Sequence, residues 1–418
     1  MPNYQVKDVS LAEQGELSVE WALRHMPVLG SIRERFLKEQ PLRGIRIAGC
    51  LHVTKETAVL AQTLIAGGAE VSLCGSNPLS TQDDVAASLA QFGVRVYAWR
   101  GQSVAEYYDC MRRALELRPQ VALDDGADMH AVLHAERTEL IPGLMGGTEE
   151  TTTGVMRLKA MAKDGALRYP LIAVNDAKSK NLFDNPVGTG QSALDGVIRA
   201  TNILIAGREV VVAGYGQVGS GIAERARGMG ATVTVVEADP FRALKAAMEG
   251  FRVASMREAS KYGDIFITAT GNTDVIRAEH FEEMKDYAVL ANAGHFDVEV
   301  SKPDLERLSE GKRRIKPCVD EYRLKSGRRL LLLSEGRLVN LACAEGHPSE
   351  VMDLSFSIQA LSVEYIAKKR GKLPVRVLKV PAAIDETVAR LKLRAMGLET
   401  EELTERQREY LTSWQAGT

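Results

Sequence analysis

The chain has 418 residues, of which 45% are hydrophobic and 26% charged, with a formal net charge of −2 and a sequence pI of about 6.4. This balance excludes the strongly basic surface typical of proteins that bind nucleic acids or anionic membranes. The length is sufficient for two or three domains around a large buried core.

The cysteine content and the apolar segments of the chain indicate its cellular location and whether it binds a metal. The five cysteines are an odd number without a CxxC pair, which favours free, buried thiols over disulfides or a metal site. The N-terminal stretch lacks the basic-then-apolar pattern of a signal peptide, and no apolar run approaches about 18 residues. We therefore expect a cytoplasmic protein that binds small molecules and no metal.

Strand-like and helix-like segments alternate from Gly44 to Asp125. Predicted strands at residues 44–50, 70–75, 94–99 and 121–125 are separated by predicted helices at 55–68, 81–93 and 103–117. A further strand is predicted at 171–175 and a helix at 191–204. This alternation predicts a parallel sheet covered by helices on both faces, that is, a doubly wound α/β fold.

Polar side chains follow several of these strands. In open α/β sheets ligands bind beyond the carboxyl ends of the strands, so residues there are candidates for an active site. Each also has a purely structural interpretation as a helix cap, a turn residue or a solvated side chain. The candidates are His52, Thr54, Glu56, Asp125, Glu149, Glu150, Thr151, Thr152, Thr153, Asn175, Lys180, Asp184 and Asn185.

A dinucleotide-binding fingerprint lies between Arg208 and Asp239. A valine-rich strand leads into a turn with Gly214, Gly216 and Gly219, and a helix and a second strand follow and end at Glu237. Such glycines allow a tight turn, close approach to a pyrophosphate and close helix packing. A carboxylate at the end of the second strand favours NAD over NADP, although nearby Arg242 could accommodate a phosphate.

Strand-like segments continue at 264–271 and 287–297, before a long helical stretch at 352–369. The stretch 399–418 is charged and predicts a helix with a frayed tail. His295 and His347 are flanked by glycine and are therefore candidates either for turns or for the site. The predicted fold is α/β, with two doubly wound, Rossmann-like parallel-sheet domains and a cleft between them.

Many spaced motifs together resemble the adenosylhomocysteinase (S-adenosyl-L-homocysteine hydrolase) family, in its short-tailed archaeal or bacterial form. They extend from about Ser18 to Tyr410 and include AGCLHVTKETAVL, STQD, LDDGAD, TEETTTG, VND, FDN, GYGQVGSG, NAGHFDVE, YRLKSGRR, EGRLVNL and GHPS. The resemblance implies a discontinuous substrate domain (1–185 and 348–395), an NAD domain (186–347) and a C-terminal helix or tail (396–418). It also implies a homotetramer with one tightly bound NAD per subunit.

The family reaction is the reversible hydrolysis of S-adenosyl-L-homocysteine to adenosine and L-homocysteine, a step of the methyl cycle. Bound NAD oxidises the ribose 3′ carbon, homocysteine is eliminated, water adds and the hydride returns. A closed, dry cleft protects the reactive ketone.

By resemblance, the catalytic residues are His52, Asp125, Lys180, Asp184 and Asn185. Lys180 and Asp184 would act at the 3′ and 2′ hydroxyls, and burial would hold the lysine near neutrality. His52 and Asp125 would move protons at the 4′ and 5′ carbons, with the division between acid and base open. The implied substrate contacts are Thr54, Glu56, Asp125, Glu150, Lys180, Asp184, His295, His347, Met352 and Phe356.

The resemblance also implies the residues that contact NAD. These are Thr151, Thr152, Thr153, Asn185, Gly214, Gly216, Gln217, Val218, Gly219, Glu237, Arg242, Thr270, Gly271, Asn272, Ala293, Gly294, His295, Asn340 and His347. Two departures concern the cofactor: Arg242 stands where a polar amide is common, and the lysine and tyrosine with which many members reach a neighbouring subunit's NAD are missing from TSWQAGT.

Three other functions remain open from the sequence. Some relatives prefer S-inosyl-L-homocysteine, but the Glu56 carboxylate would accept from the amine of adenine and oppose the carbonyl of hypoxanthine. A conventional NAD-dependent dehydrogenase would release NADH in each cycle. A non-catalytic relative would be expected to lack some of His52, Asp125, Lys180 and Asp184, and all four are present.

Overall fold

The computed structural model describes residues 3–415 and forms two β-sheets of seven and eight strands. The strands are β1 (Arg46–Cys50), β2 (Glu70–Cys74), β3 (Arg95–Tyr97), β4 (Val121–Asp124), β5 (Gly146–Glu149), β6 (Leu171–Ala173), β7 (Glu209–Ala213), β8 (Thr232–Val236), β9 (Arg252–Val253), β10 (Ile265–Thr268), β11 (Ala288–Asn292), β12 (Ser309–Lys316), β13 (Val319–Leu324), β14 (Arg329–Leu333) and β15 (Val377–Lys379).

Helices connect and cover these strands. They are α1 (Ala12–Arg24), α2 (Pro27–Glu39), α3 (Lys55–Ala66), α4 (Asp83–Phe92), α5 (Val104–Leu115), α6 (Asp128–Ala135), α7 (Thr152–Lys163), α8 (Lys178–Asn181), α9 (Thr189–Thr201), α10 (Gln217–Gly228), α11 (Pro240–Met248), α12 (Met256–Ala259), α13 (Ala278–Phe281), α14 (Lys302–Leu308), α15 (Val339–Ala342), α16 (Ser349–Lys368), α17 (Ala382–Ala395) and α18 (Glu405–Thr412).

The first sheet is parallel throughout, with strand order β15-β6-β5-β4-β1-β2-β3. Its strand order reverses between β1 and β4, which is where a doubly wound sheet binds its ligand. Strand β15 comes from the far end of the chain and pairs with β6. The C-terminal region therefore returns to the first sheet.

The second sheet contains six parallel strands in the order β14-β11-β10-β7-β8-β9, with the reversal between β7 and β10. This is the Rossmann strand order, so the predicted pair of doubly wound parallel sheets is confirmed. An antiparallel extension, β12 and β13, was not predicted. Strand β12 is mostly exposed and rich in lysine and arginine, and lacks the apolar alternation that identifies a strand.

The central parallel strands of each sheet are buried on both faces, because helices cover both sides and successive residues of a strand point to opposite sides. Ile47 packs with residues of α2, α3 and α16, whereas the next residue, Ala48, packs with residues of α5, α6 and α7. In the second sheet, Val210 and Val211 divide in the same way between two clusters. The apolar strands therefore form the centre of two layered units.

Other differences from the sequence prediction are local. Helices α1 and α2 precede the first predicted element, and β5 (GGTE) is a buried strand with no apolar side chain. Three cysteines, Cys50, Cys74 and Cys110, are buried as predicted, but the remaining two are half-buried. The predicted C-terminal helix is α18, and residues 416–418 lie outside the described residues. Among residues 3–415, no helix has the length and hydropathy needed to span a membrane.

Candidate active site

One cavity of about 380 Å³ lies where the carboxyl ends of the two sheets meet. Most of the predicted site residues line it, and in the described chain Glu149, Gly214, Gly219, Glu237 and Asn272 are outside the lining. The predicted residues in the lining are His52, Thr54, Glu56, Asp125, Glu150, Thr151, Thr152, Thr153, Asn175, Lys180, Asp184, Asn185, Gly216, Gln217, Val218, Arg242, Thr270, Gly271, Ala293, Gly294, His295, Asn340, His347, Met352 and Phe356.

His52 and Asp125 follow the neighbouring strands β1 and β4, where the strand order of the first sheet reverses. His52 Nε2 lies 3.4 Å from Asp125 Oδ2, and its Nδ1 shares a hydrogen bond of 2.7 Å with Ser80 Oγ. Burial lowers the pKa of His52 to about 4, although the charge of Asp125 opposes this shift. His52 is therefore a neutral imidazole at physiological pH and can accept or relay a proton.

The two sheets touch at His295 and the loop that follows β4. His295 Nδ1 lies 3.8 Å from Asp125 Oδ1, so a residue of the second sheet reaches the first sheet's carboxylate. Gly126 has a φ of +114°, and a Cβ added to it would lie 2.1 Å from His295 Nε2. Only glycine combines this backbone conformation with such a close approach.

Lys180 is the centre of a buried polar cluster and is 3% exposed. Its Nζ lies 2.9 Å from Asp184 Oδ1 and 3.9 Å from Glu150 Oε1, and it donates to Asn185 Oδ1 at 2.9 Å and to Asn175 Oδ1 at 3.3 Å. Burial alone would lower the lysine pKa, but the charge of Asp184, joined by that of Glu150 once the pH exceeds the Glu150 pKa of about 8, outweighs burial and raises the lysine pKa. The expectation of a lysine near neutrality was therefore wrong for this state, in which the ammonium is charged.

The backbone that carries Lys180 is fixed by the returning C-terminal region. Helix α8 is only one turn long, and Asp385 of α17 accepts from the backbone N–H groups of Lys178 and Ser179 at 2.6 and 2.9 Å. A carboxylate at a helix N-terminus satisfies N–H groups that have no intrahelical partner. The position of Lys180 thus depends on residues about 200 positions away in the sequence.

The two carboxyl groups beside Lys180 differ in charge. Asp184 accepts from Ser355 Oγ at 3.0 Å and contacts His347 Nδ1 at 3.2 Å. Burial alone would raise the Asp184 pKa, but Lys180 and His347 hold it below its usual range. Burial raises the pKa of Glu150 to about 8 despite the opposing charge of Lys180. At neutral pH, Asp184 is therefore ionised and Glu150 carries a proton.

Glu150 also has an unused polar atom at the cavity. Gln359 Nε2 donates to Glu150 Oε2 at 2.6 Å. The other oxygen, Oε1, is buried and has no hydrogen-bond partner among residues 3–415. A buried oxygen without a partner is destabilising unless a ligand satisfies it, so a hydroxyl of a bound molecule fits this position.

Helices α3 and α16 form a second end of the cavity. Glu56 is in the first turn of α3, its Oε1 accepts from Ser349 Oγ at 2.6 Å, and Lys55 Nζ lies 3.5 Å away. Met352 and Phe356 project from the facing side of α16. An apolar slot with a carboxylate at one edge suits a flat heterocycle that presents an amino group.

The glycine turn of the second sheet has the geometry that its sequence predicts. Gly214 has a φ of +97°, and a Cβ on Gly219 would lie 1.8 Å from Gly214 O, so α10 packs directly on the turn. At Gly216, the N-cap of α10, an added Cβ would have only Arg242 Nη1 within 4 Å among the described residues. The N-terminus of α10 is thus open to a phosphate group.

Glu237 stabilises this turn from the end of β8. Its carboxylate accepts from the backbone N–H of Tyr215 at 2.6 Å and from those of Ala238 and Asp239 at 2.7 and 2.9 Å. Arg242 lines the cavity. The Glu237 carboxylate retains further lone pairs, which could accept from the hydroxyls of an NAD ribose. This assignment of Glu237 stays a prediction.

Other cofactor candidates lie on the loop after β10 and on α15, where buried polar groups make hydrogen bonds. Glu299 accepts from the backbone N–H groups of Thr270 and Gly271 at 2.9 and 2.8 Å, whereas Asn272 is exposed. Asn340 donates to Ser192 Oγ at 3.2 Å, and its buried Oδ1 has no partner within residues 3–415. The open helix N-terminus and this unpaired oxygen fit a bound dinucleotide carrying a carboxamide.

Several contacting residues were missed or left unassigned by the sequence prediction. Ser349, Ser355 and Gln359 hydrogen-bond to Glu56, Asp184 and Glu150, respectively. They lie near Met352 and Phe356 on one long helix, so polar residues at helical spacing in an apolar segment were the available signal. Asn175 was a candidate without a role, and its side chain contacts Lys180, Asn185 and Thr152.

Two groups in the described chain have metal-ligand spacing. Ligand atoms of His52, Asp125 and His295 lie within 4.8 Å of one another, as do those of Asp124, His130 and Glu149. In the second group, His130 Nδ1 contacts the Tyr169 hydroxyl at 2.9 Å and Nε2 contacts Thr148 O at 3.1 Å, so both ring nitrogens have partners. The absence of a metal remains a prediction.

Comparisons with known proteins identify the family of the chain. Residues 185–346 match the family model described as S-adenosyl-L-homocysteine hydrolase, NAD binding domain, and residues 3–142 match S-adenosyl-L-homocysteine hydrolase. Proteins named Adenosylhomocysteinase from Sulfurisphaera tokodaii and Saccharolobus solfataricus are 60% and 59% identical, with 100% of each chain covered. A protein named S-inosyl-L-homocysteine hydrolase from Methanocaldococcus jannaschii is 56% identical over 99% of this chain and 100% of its own. The chain belongs to the S-adenosyl-L-homocysteine hydrolase family, and its cofactor is NAD.

Proposed function

We propose that the protein catalyses the reversible hydrolysis of S-adenosyl-L-homocysteine to adenosine and L-homocysteine. The observation that carries this proposal is the single cavity that joins the glycine turn of the second sheet to the Lys180 and His52–Asp125 groups of the first. A dinucleotide bound at the turn would face a substrate bound at these polar groups.

The dinucleotide would be held by the glycine turn, by the N-cap and first turn of α7 (Thr151, Thr152, Thr153), by the loops after β10 and β11, and by Asn340. When bound, NAD supplies a hydride acceptor for the ribose 3′ carbon, and the resulting ketone makes the 4′ proton acidic enough for the thioether to leave by elimination. The protein's part is to orient the ribose, move protons and exclude water.

The ribose hydroxyls fit the Lys180 cluster. The ionised Asp184 would accept from one hydroxyl, and the protonated Glu150 would donate to or accept from another through its unpartnered Oε1. Lys180 is charged before substrate binds, so it must lose a proton before it can accept one from the 3′ hydroxyl. We infer that displacement of its present partners by the substrate lowers its pKa.

His52 and Asp125 would handle protons on the opposite side of the ribose, at the 4′ and 5′ carbons. His52 is neutral at physiological pH, and Ser80 fixes its ring by a hydrogen bond to Nδ1. Its Nε2, 3.4 Å from Asp125, is the atom available for proton exchange. Which member of the pair acts as base during elimination remains open.

The base of the substrate is the finer point of the proposal. The Glu56 carboxylate can accept from the amino group of adenine, and the nearby Lys55 ammonium stabilises its negative charge. A hypoxanthine carbonyl at the same position would face a carboxylate, which is unfavourable. Hydrolysis of S-inosyl-L-homocysteine is the second candidate because a relative of that name shares 56% identity.

The decisive assay incubates the purified protein with S-adenosyl-L-homocysteine and, separately, with S-inosyl-L-homocysteine, and measures thiol release and nucleoside formation. We expect thiol release from the adenosyl compound without free NADH. Thiol release from the inosyl compound alone would establish the second candidate. Steady NADH production would establish a net dehydrogenase, and no thiol from either compound would refute both hydrolase assignments.

We further propose the domain division 1–185 with 348–395, 186–347 and 396–418, as well as a homotetramer in the cytoplasm. The membership of β1–β6 and β15 in one sheet and of β7–β14 in the other supports the division. Exposed apolar side chains such as Phe241, Met248 and Trp414 are consistent with subunit contacts. Light scattering coupled to size-exclusion chromatography would measure the assembly, and a monomeric mass would refute the tetramer.

A further inference from the structure

Two half-buried cysteines meet outside the cavity, at the edge of the second sheet. Cys318 occupies the turn between β12 and β13 with a φ of +64°, and Cys343 directly follows α15. Cys318 Sγ lies 3.2 Å from the carbonyl oxygen of Ala342, the residue directly before Cys343, so the two thiols are near enough to interact. Residues 25 positions apart in the sequence thus lie side by side, which is the first requirement for a disulfide.

Positive charge surrounds Cys318. The hydrogen bond from Cys343 lowers the pKa of Cys318 to about 6, and the charges of Arg100 and Arg314 act in the same direction, against the effect of burial. Arg100 Nη2 lies 4.0 Å from Cys318 Sγ. The carbonyl of Ala342, 3.2 Å from the sulfur, favours the protonated thiol instead. The balance favours a thiolate at Cys318, the reactive form of cysteine.

Cys343 has the opposite character. Its hydrogen bond to Cys318 and its burial raise its pKa strongly, and its sulfur lies 2.6 Å from Ser334 Oγ. A thiolate with an adjacent thiol is the arrangement of a nucleophilic and a resolving cysteine. Cys50, Cys74 and Cys110 differ because they are fully buried in the first sheet's core.

We propose that Cys318 and Cys343 form a redox-modification site that small-molecule disulfides oxidise to an intramolecular disulfide. The Cys318 thiolate attacks one sulfur of the oxidant, RSSR, which forms a mixed disulfide and releases RS⁻. Cys343 then loses its proton to solvent and attacks the Cys318 sulfur, releasing a second RS⁻. Two cysteine thiols are oxidised, one RSSR is reduced to two RSH, and the electrons balance.

The site adjoins a contact between the two sheets. Arg100 follows β3 of the first sheet and donates to the carbonyl of Ala342 as well as lying beside Cys318. Oxidation removes the negative charge of Cys318, which is one of the two groups that the Arg100 guanidinium contacts among residues 3–415. The modification should weaken this contact across the cleft and speed the release of bound cofactor.

The experiment treats the native, NAD-loaded protein with oxidised glutathione at pH 7.5, blocks remaining thiols, and maps disulfides by peptide mass spectrometry. We expect a Cys318–Cys343 disulfide and two equivalents of glutathione per chain. Cys343→Ser should stop at a glutathione adduct on Cys318 with one equivalent released, and Cys318→Ser should not react. Retention of both thiols in the native protein, at an oxidant concentration that oxidises the denatured chain, would overturn the proposal, as would disulfides to the buried cysteines.

A second measurement tests the effect on the cleft without relying on catalysis. Exchange of bound NAD for labelled NAD should be several-fold faster in the oxidised protein, and reduction by dithiothreitol should restore the slow rate. Arg100→Gln should exchange quickly in both redox states because it lacks the contact. An exchange rate independent of oxidation in the unmodified sequence would refute the link to Arg100.

Discussion

Lys180 and Glu150 are buried in the same cluster, yet their protonation states are set by different balances. At Lys180 the neighbouring Asp184 carboxylate outweighs burial, whereas at Glu150 burial outweighs a neighbouring ammonium. At neutral pH the site therefore contains a Lys180 ammonium, a protonated Glu150 carboxyl and an ionised Asp184 carboxylate. These protonation states and the carboxylate of Glu56 determine the expected effects of substitutions at Lys180, Glu150 and Glu56.

Replacing Lys180 by alanine should slow the reduction of bound NAD by adenosine by about 10²–10⁴-fold, the usual contribution of a general acid or base. The rate is measured in rapid-mixing experiments from the absorbance of the reduced nicotinamide. Lys178→Ala is the matched control, because this lysine is in the same short helix but exposed. Reduction at the unmodified rate in the Lys180 variant would remove this residue from its proposed role.

Glu150→Gln should change the pH profile more than the neutral-pH rate. The Glu150 carboxyl is protonated below its pKa of about 8, so an uncharged amide preserves its state at pH 7 and costs roughly tenfold in kcat/KM, as for one imperfect hydrogen bond. Above pH 8 the native carboxyl ionises beside Asp184, and kcat/KM should fall. The Gln variant should lack this basic limb, and Glu16→Gln on the exposed face of α1 should retain it. Persistence of the limb in Glu150→Gln would assign it to another group.

Glu56→Gln should weaken the preference for adenine over hypoxanthine. An amide can donate to the hypoxanthine carbonyl, so the ratio of kcat/KM for the adenosyl and inosyl substrates should fall by about 10–100-fold. Glu350→Gln, on an exposed position of α16, serves as the control and should leave the ratio unchanged. An unaltered ratio in the Glu56 variant would show that the base is recognised elsewhere.

The packing of helix α10 on the glycine turn depends on the absence of a side chain at Gly219. Gly219→Ala would place a Cβ 1.8 Å from Gly214 O, and the helix would have to move away from the glycine turn. We expect a loss of about 1–3 kcal/mol in the free energy of unfolding, typical of overpacking, together with at least tenfold weaker NAD binding. Denaturant unfolding and fluorescence titration of the apoprotein measure the two effects.

The matched control lies in the same helix. At Gly228, an added Cβ has no neighbour within 4 Å among residues 3–415. Gly228→Ala should therefore leave NAD affinity unchanged and raise stability slightly, by about 0.5 kcal/mol, because alanine favours the helical conformation. Equal behaviour of the two variants would contradict the proposed close packing at Gly219.

Elements with strong local signals were predictable from the sequence. The valine run of β7, the glycine turn and the apolar segment of α16 each identify themselves by periodicity or special backbone requirements. Strands β5 and β12 were not predictable, since GGTE has no apolar residue and β12 is mostly exposed and charged. Their strand conformation comes from pairing with neighbours, β4 and β6 for one and β13 for the other.

The same distinction applies to the site. Residues at strand ends, such as His52 and Asp125, could be located because the doubly wound topology brings strand ends together. The partners that set their chemistry could not, because Asp385 contacts α8 and Gln359 contacts Glu150 only after distant segments return to the first sheet. The pKa of Lys180 depends on these three-dimensional neighbours, so the direction of its shift could not be predicted from the sequence.

At the scale of the whole molecule, buried titratable groups predict how stability depends on pH. The folded-state pKa of Glu150, about 8, exceeds the unfolded value of about 4.3, so its contribution is lost as pH rises through 8. For His52 the folded value of about 4 lies below the unfolded value of about 6.5, so its contribution is lost as pH falls from 6.5 to 4. Between pH 6.5 and 8 only the carboxyl effect operates within this pair.

The ligand-free protein should therefore lose unfolding free energy between pH 6.5 and 8, with a slope from Glu150 of up to ~1.4 kcal/mol per pH unit. Urea unfolding at several pH values measures this slope. Burial also raises the pKa of Asp124 to about 8, so Glu150→Gln should reduce the slope without abolishing it, whereas Glu16→Gln should leave it unchanged. A slope of equal size in the Gln variant would place the responsible proton on another buried group.

The contact between Gly126 and His295 has a consequence for the shape of the entire protein. The space between Gly126 and the His295 imidazole admits a hydrogen atom but no larger group. Because Gly126 has no side chain, the two sheets lie close enough for their catalytic groups to meet. One extra methyl group would wedge the halves apart and admit bulk solvent to a reaction that must stay dry. The closeness of the two sheets at this contact thus depends on the residue with the smallest side chain.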